Sequence, residues 1–145
     1  MSKHWQRMTK IGTAIVAVLL LAIQLVPVDF SNPPITSALR APRAVAEILT
    51  SSCYDCHSNE TRWPWYSKVA PMSWWIASHV EKGRGHLNFS EWPAYDFGSQ
   101  DQFFQEIEEQ LMENRMPLKS YVRGHPEARL SAEQKNILLE WARGS

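Results

Sequence analysis

The sequence predicts an all-α protein, in which one apolar N-terminal helix precedes a small domain of short helices. Three observations lead to this fold class. A stretch of eighteen uncharged residues lies near the N-terminus, and apolar residues recur at helical spacing in four later segments, without a convincing run of alternating strand residues. The length of 145 residues allows one folded domain besides the apolar helix.

Residues 11–28 form the apolar segment, IGTAIVAVLLLAIQLVPV. As a helix it would be about 27 Å long, close to the thickness of a bilayer core. Lys3, Arg7 and Lys10 precede it, and the first charge after it is Asp29. The positive-inside rule therefore predicts a single-pass anchor in the inner membrane, with the remainder of the chain facing the periplasm.

A cleaved signal peptide is the alternative interpretation of this segment. Signal peptidase sites have small residues shortly after the apolar core, but Val28 is followed by Asp29 and Phe30. The next small-residue pattern, at residues 44–46, lies far downstream. We expect the anchor, and a cleaved periplasmic protein is the second choice; a buried helix of a soluble protein fits the basic flank poorly.

We divide the chain into an anchor or signal sequence (residues 1–28), a linker (residues 29–41) and a helical domain (residues 42–145). Pro33, Pro34 and Pro42 make the linker a semi-extended spacer, because proline interrupts helices. Predicted helices cover residues 42–52, 71–82, 99–114 and 131–143, and the intervening segments 58–70, 84–98 and 115–130 are expected to be irregular. Gly83 and Gly85 are expected to end the second helix. Two helix starts carry the capping-box pattern: Ser99 with Gln102, and Ser131 with Gln134.

Composition excludes some functions. The chain has 15 basic and 15 acidic residues and no basic stripe, so it is not expected to bind nucleic acid. Seven tryptophans and 44% apolar residues argue against disorder. No nucleophile–base pairing and no glycine-rich phosphate loop is present, which favours a function other than catalysis by the chain alone.

The strongest motif is the pentapeptide Cys53-Tyr54-Asp55-Cys56-His57, which has the C-x-x-C-H pattern of covalent haem attachment. Two thiols at this spacing can each add to one vinyl group of the same porphyrin, and the adjacent imidazole then lies beneath the iron. The sequence therefore predicts one covalent haem C, bound through Cys53 and Cys56, with His57 as the proximal iron ligand.

The pentapeptide has three other possible interpretations besides haem attachment. A disulfide between the cysteines would require neither His57 nor the aromatic residues around the motif. A thioredoxin-like pair usually lies in a βαβ context, which the pattern here does not predict. A zinc site would need further ligands at suitable spacing.

Beyond the pentapeptide, the chain resembles the small bacterial family of haem-binding domains within the c-type cytochromes. The resemblance covers about residues 40–143, and it rests on four stretches: CYDCHSNETRWPWYSKVAP from Cys53, GRGHLNFSEW from Gly83, RMPLKSY from Arg115 and HPEARLSAEQKNILLEW from His125. It implies a cytochrome-c-like all-α fold around a single haem C, and electron transfer as the function.

Met116 is the first choice for the distal ligand, because it follows a predicted helix, precedes Pro117 and lies about sixty residues beyond His57. A core-filling role is the alternative for this methionine. His79 is its main rival, since it lies on the apolar stripe of the second helix. The weaker candidates are His86, His125, Met72 and Met112.

The expected function is one-electron transfer to membrane or periplasmic redox partner proteins, because two axial ligands shield the iron from small molecules. A haem-based ligand sensor, or the haem subunit of an oxidoreductase complex, is the alternative if the distal site is open or ligated by His79. One or two basic loop residues are candidates to pair with haem propionates or with a docking acid, and a solvated surface role is favoured for most of them. These residues are Arg62, Lys68, Arg84, Lys119 and Arg123.

Overall fold

A computed structural model describes residues 3–144, and all regular structure in that range is helical apart from one isolated bridge between Ser37 and Glu91. The all-α prediction is confirmed. The helices are α1 (Lys3–Ala22), α2 (Arg43–Ser52), α3 (Tyr54–His57), α4 (Met72–His86), α5 (Phe97–Met112), α6 (Lys119–Gly124) and α7 (Ala132–Arg143). Short 3-10 turns cover Ile23–Leu25, Trp65–Lys68, Trp92–Ala94 and Pro126–Ala128.

Helix α1 begins earlier than predicted, because the basic residues before the apolar segment are themselves good helix formers. It ends at Ala22, and the 3-10 turn that follows stops two residues before Pro27, whose ring disfavours a helical conformation in the preceding residue. His4–Leu25 has a mean hydropathy of 2.0 in its most apolar window and no buried residues there, so it is long and apolar enough to cross a membrane.

The chain divides into two compact units. The first contains the chain up to Ser31 together with Trp63–Ser78, and the second contains Asn32–Arg62 together with the chain from His79 onward. Residues 26–42 contain no helix. The boundaries of the anchor, linker and domain stay a prediction.

The core of the second unit lies among α2, α5, α7 and the loop that follows α4. α5 packs along α7, and the rings of Phe104 and Trp141 meet edge to face with centroids 5.1 Å apart. Eight buried residues form the centre of this core: Val45, Ile48, Leu49, Leu87, Phe89, Trp92, Leu111 and Leu138. Because each helix is short, burial of these apolar side chains provides most of the stability of the helices.

Two predicted helix boundaries are wrong. Helix α4 continues through Gly83 and Gly85 to His86 rather than ending at Gly83. Helix α5 begins at Phe97, and its N-cap is Asp96, whose carboxylate accepts hydrogen bonds from the Ser99 backbone N–H (3.0 Å) and hydroxyl (2.8 Å). Ser99 is therefore a donor to the cap and not the cap itself, so the predicted Ser99–Gln102 box does not form.

The other predicted cap is confirmed. The Ser131 hydroxyl accepts from the Gln134 backbone N–H at 3.1 Å, and the Gln134 side chain accepts from the Ser131 backbone N–H at 2.8 Å. The segments expected to be irregular contain α6 and three 3-10 turns, which are too short for helical periodicity to reveal.

We predict that Asp96→Asn lowers the stability of the protein at neutral pH. The Ser99 hydrogen bonds favour the ionised carboxylate and hold the pKa of Asp96 below its ordinary value of 3.8. A depressed carboxyl pKa contributes stability above about pH 3.8 that is lost as the pH falls through the lower folded value. Denaturant unfolding across this pH range checks the prediction. The difference from wild type should shrink in acid, and a difference that stays constant across this range would contradict the role of the Asp96 carboxylate.

Candidate haem site

The C-x-x-C-H pentapeptide forms one helical turn at the end of α2. Cys53 is the C-cap of α2 and the N-cap of α3, and its carbonyl accepts hydrogen bonds from the N–H groups of Cys56 (3.1 Å) and His57 (2.9 Å). Residues three positions apart in a helical turn lie on the same face. The two cysteines are therefore on one face of this turn, as attachment to a single porphyrin requires.

A cavity of about 320 Å³ adjoins this turn. Cys53, Cys56 and His57 line one part of it, and both His79 and Met116 also line it. The walls are mainly apolar, and the volume falls in the range of about 300–1,000 Å³ that is typical of ligand pockets. An apolar cavity with two thiols, an imidazole and a thioether fits a porphyrin and the ligands of its iron.

The hydrogen bond of His57 fixes which ring nitrogen is available. Nδ1 lies 3.1 Å from the carbonyl oxygen of Leu87, and because a carbonyl can only accept, Nδ1 carries the hydrogen. Nε2 is then the nitrogen with a free lone pair. Burial lowers the pKa of His57, which keeps the ring neutral. A neutral imidazole whose other nitrogen donates to a carbonyl is the form that ligates metals.

The thiols are in a different electrostatic setting from those of a redox-active pair. Burial raises the pKa of Cys53 to about 12, and burial together with the nearby Asp55 raises that of Cys56 to about 11. Reactive C-x-x-C thiols have lowered pKa values. The thioredoxin-like interpretation therefore finds no support in the site.

Helix α4 approaches the motif closely at Gly83. A Cβ atom at this position would lie 2.5 Å from the carbonyl oxygen of Cys56, far inside van der Waals contact. Glycine is thus required here to bring two backbones together. By contrast, a Cβ at Gly85 would meet no atom within 4 Å. The contact at Gly83 places the cavity-lining part of α4, which includes His79, beside the motif turn.

A hydrogen-bonded network centred on Asp55 holds the motif; the Asp55 side chain is buried, and that of its partner Arg62 is exposed. Asp55 is buried, and its carboxylate accepts hydrogen bonds from the Arg62 backbone N–H (3.0 Å), from the Arg62 guanidinium (3.1 and 3.3 Å) and from the Tyr121 hydroxyl (2.6 Å). The hydrogen bond to Asp55 raises the pKa of Arg62, and burial followed by this same carboxylate raises that of Tyr121. These contacts satisfy a charge that would otherwise be costly to bury.

The loop after α4 holds the backbone that leaves the motif. The Phe89 N–H donates to the His57 carbonyl at 2.8 Å, and the Asn59 N–H donates to the Ser90 hydroxyl at 2.9 Å. The side chains of Asn88 and Asn59 pair at 2.9 Å in the interior. The LNFSEW stretch therefore encloses the motif turn with hydrogen bonds that are themselves buried.

Two of the candidate propionate partners also have contacts within the protein. Arg62 binds Asp55, as described above. The Arg84 guanidinium donates to the Ser58 carbonyl and the Thr61 hydroxyl, both at 2.8 Å. Each guanidinium thus supports the segment just after the haem motif. Lys82, which the sequence did not single out, lines the cavity and has an exposed side chain.

The structure brings Cys53, Cys56, His57, Met116 and His79 around one cavity. Among the weaker candidates, His86 lines the cavity, although its Nε2 lies 2.8 Å from a carboxylate oxygen of Glu106. The other three do not line it: Met72, Met112 and His125. The assignment of ligands to the iron stays a prediction.

Sequence reasoning missed Asp55 and Tyr121 as supporting residues. Asp55 occupies a variable position of the motif, where spacing carries no information, and Tyr121 lies 66 residues away from it. The sequence contained one indication that Tyr121 belongs to the site: it ends the RMPLKSY stretch, which also contains Met116.

The fold and the cavity are those of a small all-α haem-binding protein. A family model described as "Haem-binding domain" matches residues 18–144, and the chain belongs to this family. No curated protein matches the chain, and no solved structure matches it.

We predict that Gly83→Ala reduces haem incorporation and destabilises the protein by about 1–3 kcal/mol, because the new methyl group would force α4 away from Cys56. The haem-to-protein ratio and the free energy of unfolding provide the measurement. Gly85→Ala is the matched control in the same helix, and it should keep haem content and gain up to about 1 kcal/mol. If the two variants had the same haem-to-protein ratio and the same free energy of unfolding, the proposed steric role of Gly83 would be wrong.

Proposed function

We propose that this protein is a membrane-tethered periplasmic c-type cytochrome that carries one haem C and transfers single electrons. The observation that carries the proposal is the cavity in which both thiols, the imidazole of His57 and the thioether of Met116 meet. Membership of the haem-binding family supports the cofactor. Covalent attachment is supported by the motif spacing and by the helical turn that it forms.

In this proposal, Cys53 and Cys56 would hold the porphyrin through thioethers, and His57 Nε2 would be an iron ligand. When bound, the haem supplies an iron that gains or loses one electron. The chain keeps His57 neutral through burial and orients its ring through Leu87. The hydrogen bonds of Asp55 hold the motif turn in place, and the apolar cavity walls would exclude water from the haem, as an electron carrier requires of its protein.

We assign the distal position to Met116. The backbone just after α5 positions it, because the N–H groups of Arg115 and Met116 both donate to the carbonyl of Gln110, at 3.0 and 3.4 Å. Methionine–histidine ligation raises the reduction potential and closes the iron to small ligands. These properties suit electron exchange with membrane or periplasmic partner proteins.

A haem-based ligand sensor is the second candidate function. One observation favours it: Met116 is 37% exposed, and His79 lines the same cavity from α4. A mobile or absent distal ligand would leave the iron open to small molecules. The two candidate functions require the same fold. They differ in whether a residue of the chain occupies the distal coordination position of the iron.

Tethering is supported by the apolar helix at His4–Leu25 and by the basic residues at its start. The positive-inside rule then orients the N-terminus toward the cytoplasm and the haem domain toward the periplasm. A soluble periplasmic form would result if residues 1–28 were removed by a signal peptidase.

We predict that the full chain, expressed in a host competent for cytochrome c maturation, gains the mass of one haem that survives denaturation. Cys53→Ser combined with Cys56→Ser should lose this covalent mass, because no thiol remains to form a thioether. Intact-protein mass spectrometry and a haem-stained denaturing gel of membrane and soluble fractions test this. Thr50→Ala is the control, since Thr50 is exposed and outside the cavity. Wild-type protein without the added mass would overturn the proposal.

We further predict that Met116→Ala abolishes the methionine–iron band at the red end of the ferric spectrum and lets carbon monoxide bind the reduced protein readily. Met112→Ala should retain the band, because Met112 does not line the cavity, and His79→Ala should retain it as well. Loss of six-coordination in His79→Ala alone would assign the site to His79. A wild-type protein that lacks the band and binds carbon monoxide readily would favour the sensor.

A further inference from the structure

We propose that Trp65, Val69, Met72, Trp74 and Trp75 form a surface that lies in the headgroup region of the bilayer that α1 crosses. We call these five side chains the tryptophan surface. The inference rests on the proposed membrane tethering and adds a second membrane contact to it, outside the transmembrane helix.

The tryptophan surface is unusually exposed for apolar side chains. The exposed fractions are 79% for Trp65, 46% for Val69, 47% for Met72, 37% for Trp74 and 46% for Trp75. Exposed apolar patches of this kind mark contact with a partner or a membrane. Tryptophan is enriched at the membrane–water interface, where its ring meets acyl chains and its N–H meets polar groups.

Gln24 connects this segment to the membrane helix. Its side-chain nitrogen donates to the carbonyl of Ala70 at 3.2 Å, and its side-chain oxygen accepts from the Ala70 N–H at 2.9 Å. The same nitrogen donates to the carbonyl of Leu20 at 3.0 Å. An amide near the hydrocarbon region must find such partners, because lipid supplies none.

This pairing fixes the depth of the segment. Gln24 is next to the last residue of the apolar helix, so Ala70 lies at the level where α1 leaves the membrane. All five members of the tryptophan surface are within five residues of Ala70 in the chain. A second contact supports the arrangement, since the rings of Phe30 and Trp63 meet edge to face with centroids 5.1 Å apart.

Charge also favours a lipid over a protein partner. Residues 63–78 contain a single charged side chain, Lys68, which is exposed. Aromatic rings with one lysine suit the interface, because the lysine stem can lie along apolar groups while its ammonium reaches lipid phosphates. The surface therefore presents apolar side chains and one cation. A typical protein–protein interface is instead surrounded by a rim of polar residues.

The test places the photo-reactive residue benzoylphenylalanine at single positions of the full chain in vesicles of phosphatidylethanolamine and phosphatidylglycerol. After irradiation, mass spectrometry measures lipid adducts. Positions Trp65 and Trp74 should form adducts severalfold more often than Phe97, an aromatic residue that is 85% exposed and outside the tryptophan surface. Ile15, which is 55% exposed on α1, is the positive control for insertion.

The outcomes separate the two proposals. Adducts at Ile15, but none above the Phe97 level at Trp65 and Trp74, would overturn the tryptophan surface and leave tethering intact. An absence of adducts at Ile15 would overturn tethering and this inference with it. Protein adducts in place of lipid adducts at Trp65 and Trp74, in native membranes, would overturn the lipid assignment.

A substitution in the 3-10 turn that follows α1 tests the connection independently. Gln24→Leu removes both hydrogen bonds to Ala70 and should reduce lipid adducts at Trp65 and Trp74 severalfold while preserving them at Ile15. Thr13→Val is the matched control, because the Thr13 hydroxyl binds only the carbonyl of Thr9 in its own helix. Unchanged adducts in Gln24→Leu would contradict the role of Gln24 in placing the surface.

Discussion

The close contact between Gly83 and Cys56 is the constraint on which the haem site depends. It brings the backbone of α4 against the motif turn at a distance that no side chain allows. Leu87 directly follows the helix: its N–H donates to the Gly83 carbonyl at 3.0 Å, and its own carbonyl oxygen lies 3.1 Å from His57 Nδ1. The close approach at Gly83 therefore lies next to the Leu87 carbonyl, whose hydrogen bond orients the candidate iron ligand His57.

Polar groups support the site as much as apolar packing does. Asp55, Asn59 and Asn88 are all buried, and each is engaged in hydrogen bonds to side chains or backbone around the motif. Buried networks that are fully satisfied favour one arrangement, because any other arrangement leaves polar atoms without partners. We infer that this network, together with the bound cofactor, compensates for the small apolar core of a domain with long loops.

Residue patterns predicted the helical class and the motif, because both depend on local spacing. Periodicity located α2, α4, α5 and α7, and the Ser131–Gln134 cap was recognised because it lies wholly within four residues. Gly83 was misread as a helix stop, since only the tertiary contact with Cys56 explains a glycine inside α4. The pairing of Asp55 with Tyr121 likewise depends on geometry that a linear pattern does not contain. Asp96 and Ser99 are close in sequence and both are favoured N-cap residues, so the pattern alone does not choose between them.

The raised thiol pKa values have a consequence for biosynthesis. Cys53 and Cys56 are protonated in the folded chain at neutral pH, and a protonated thiol adds poorly to a vinyl group. In the proposed function, thioether formation would therefore be favoured while the motif is still exposed, because an exposed cysteine has a larger thiolate fraction. The order of haem attachment and folding would then determine how much mature protein a cell obtains.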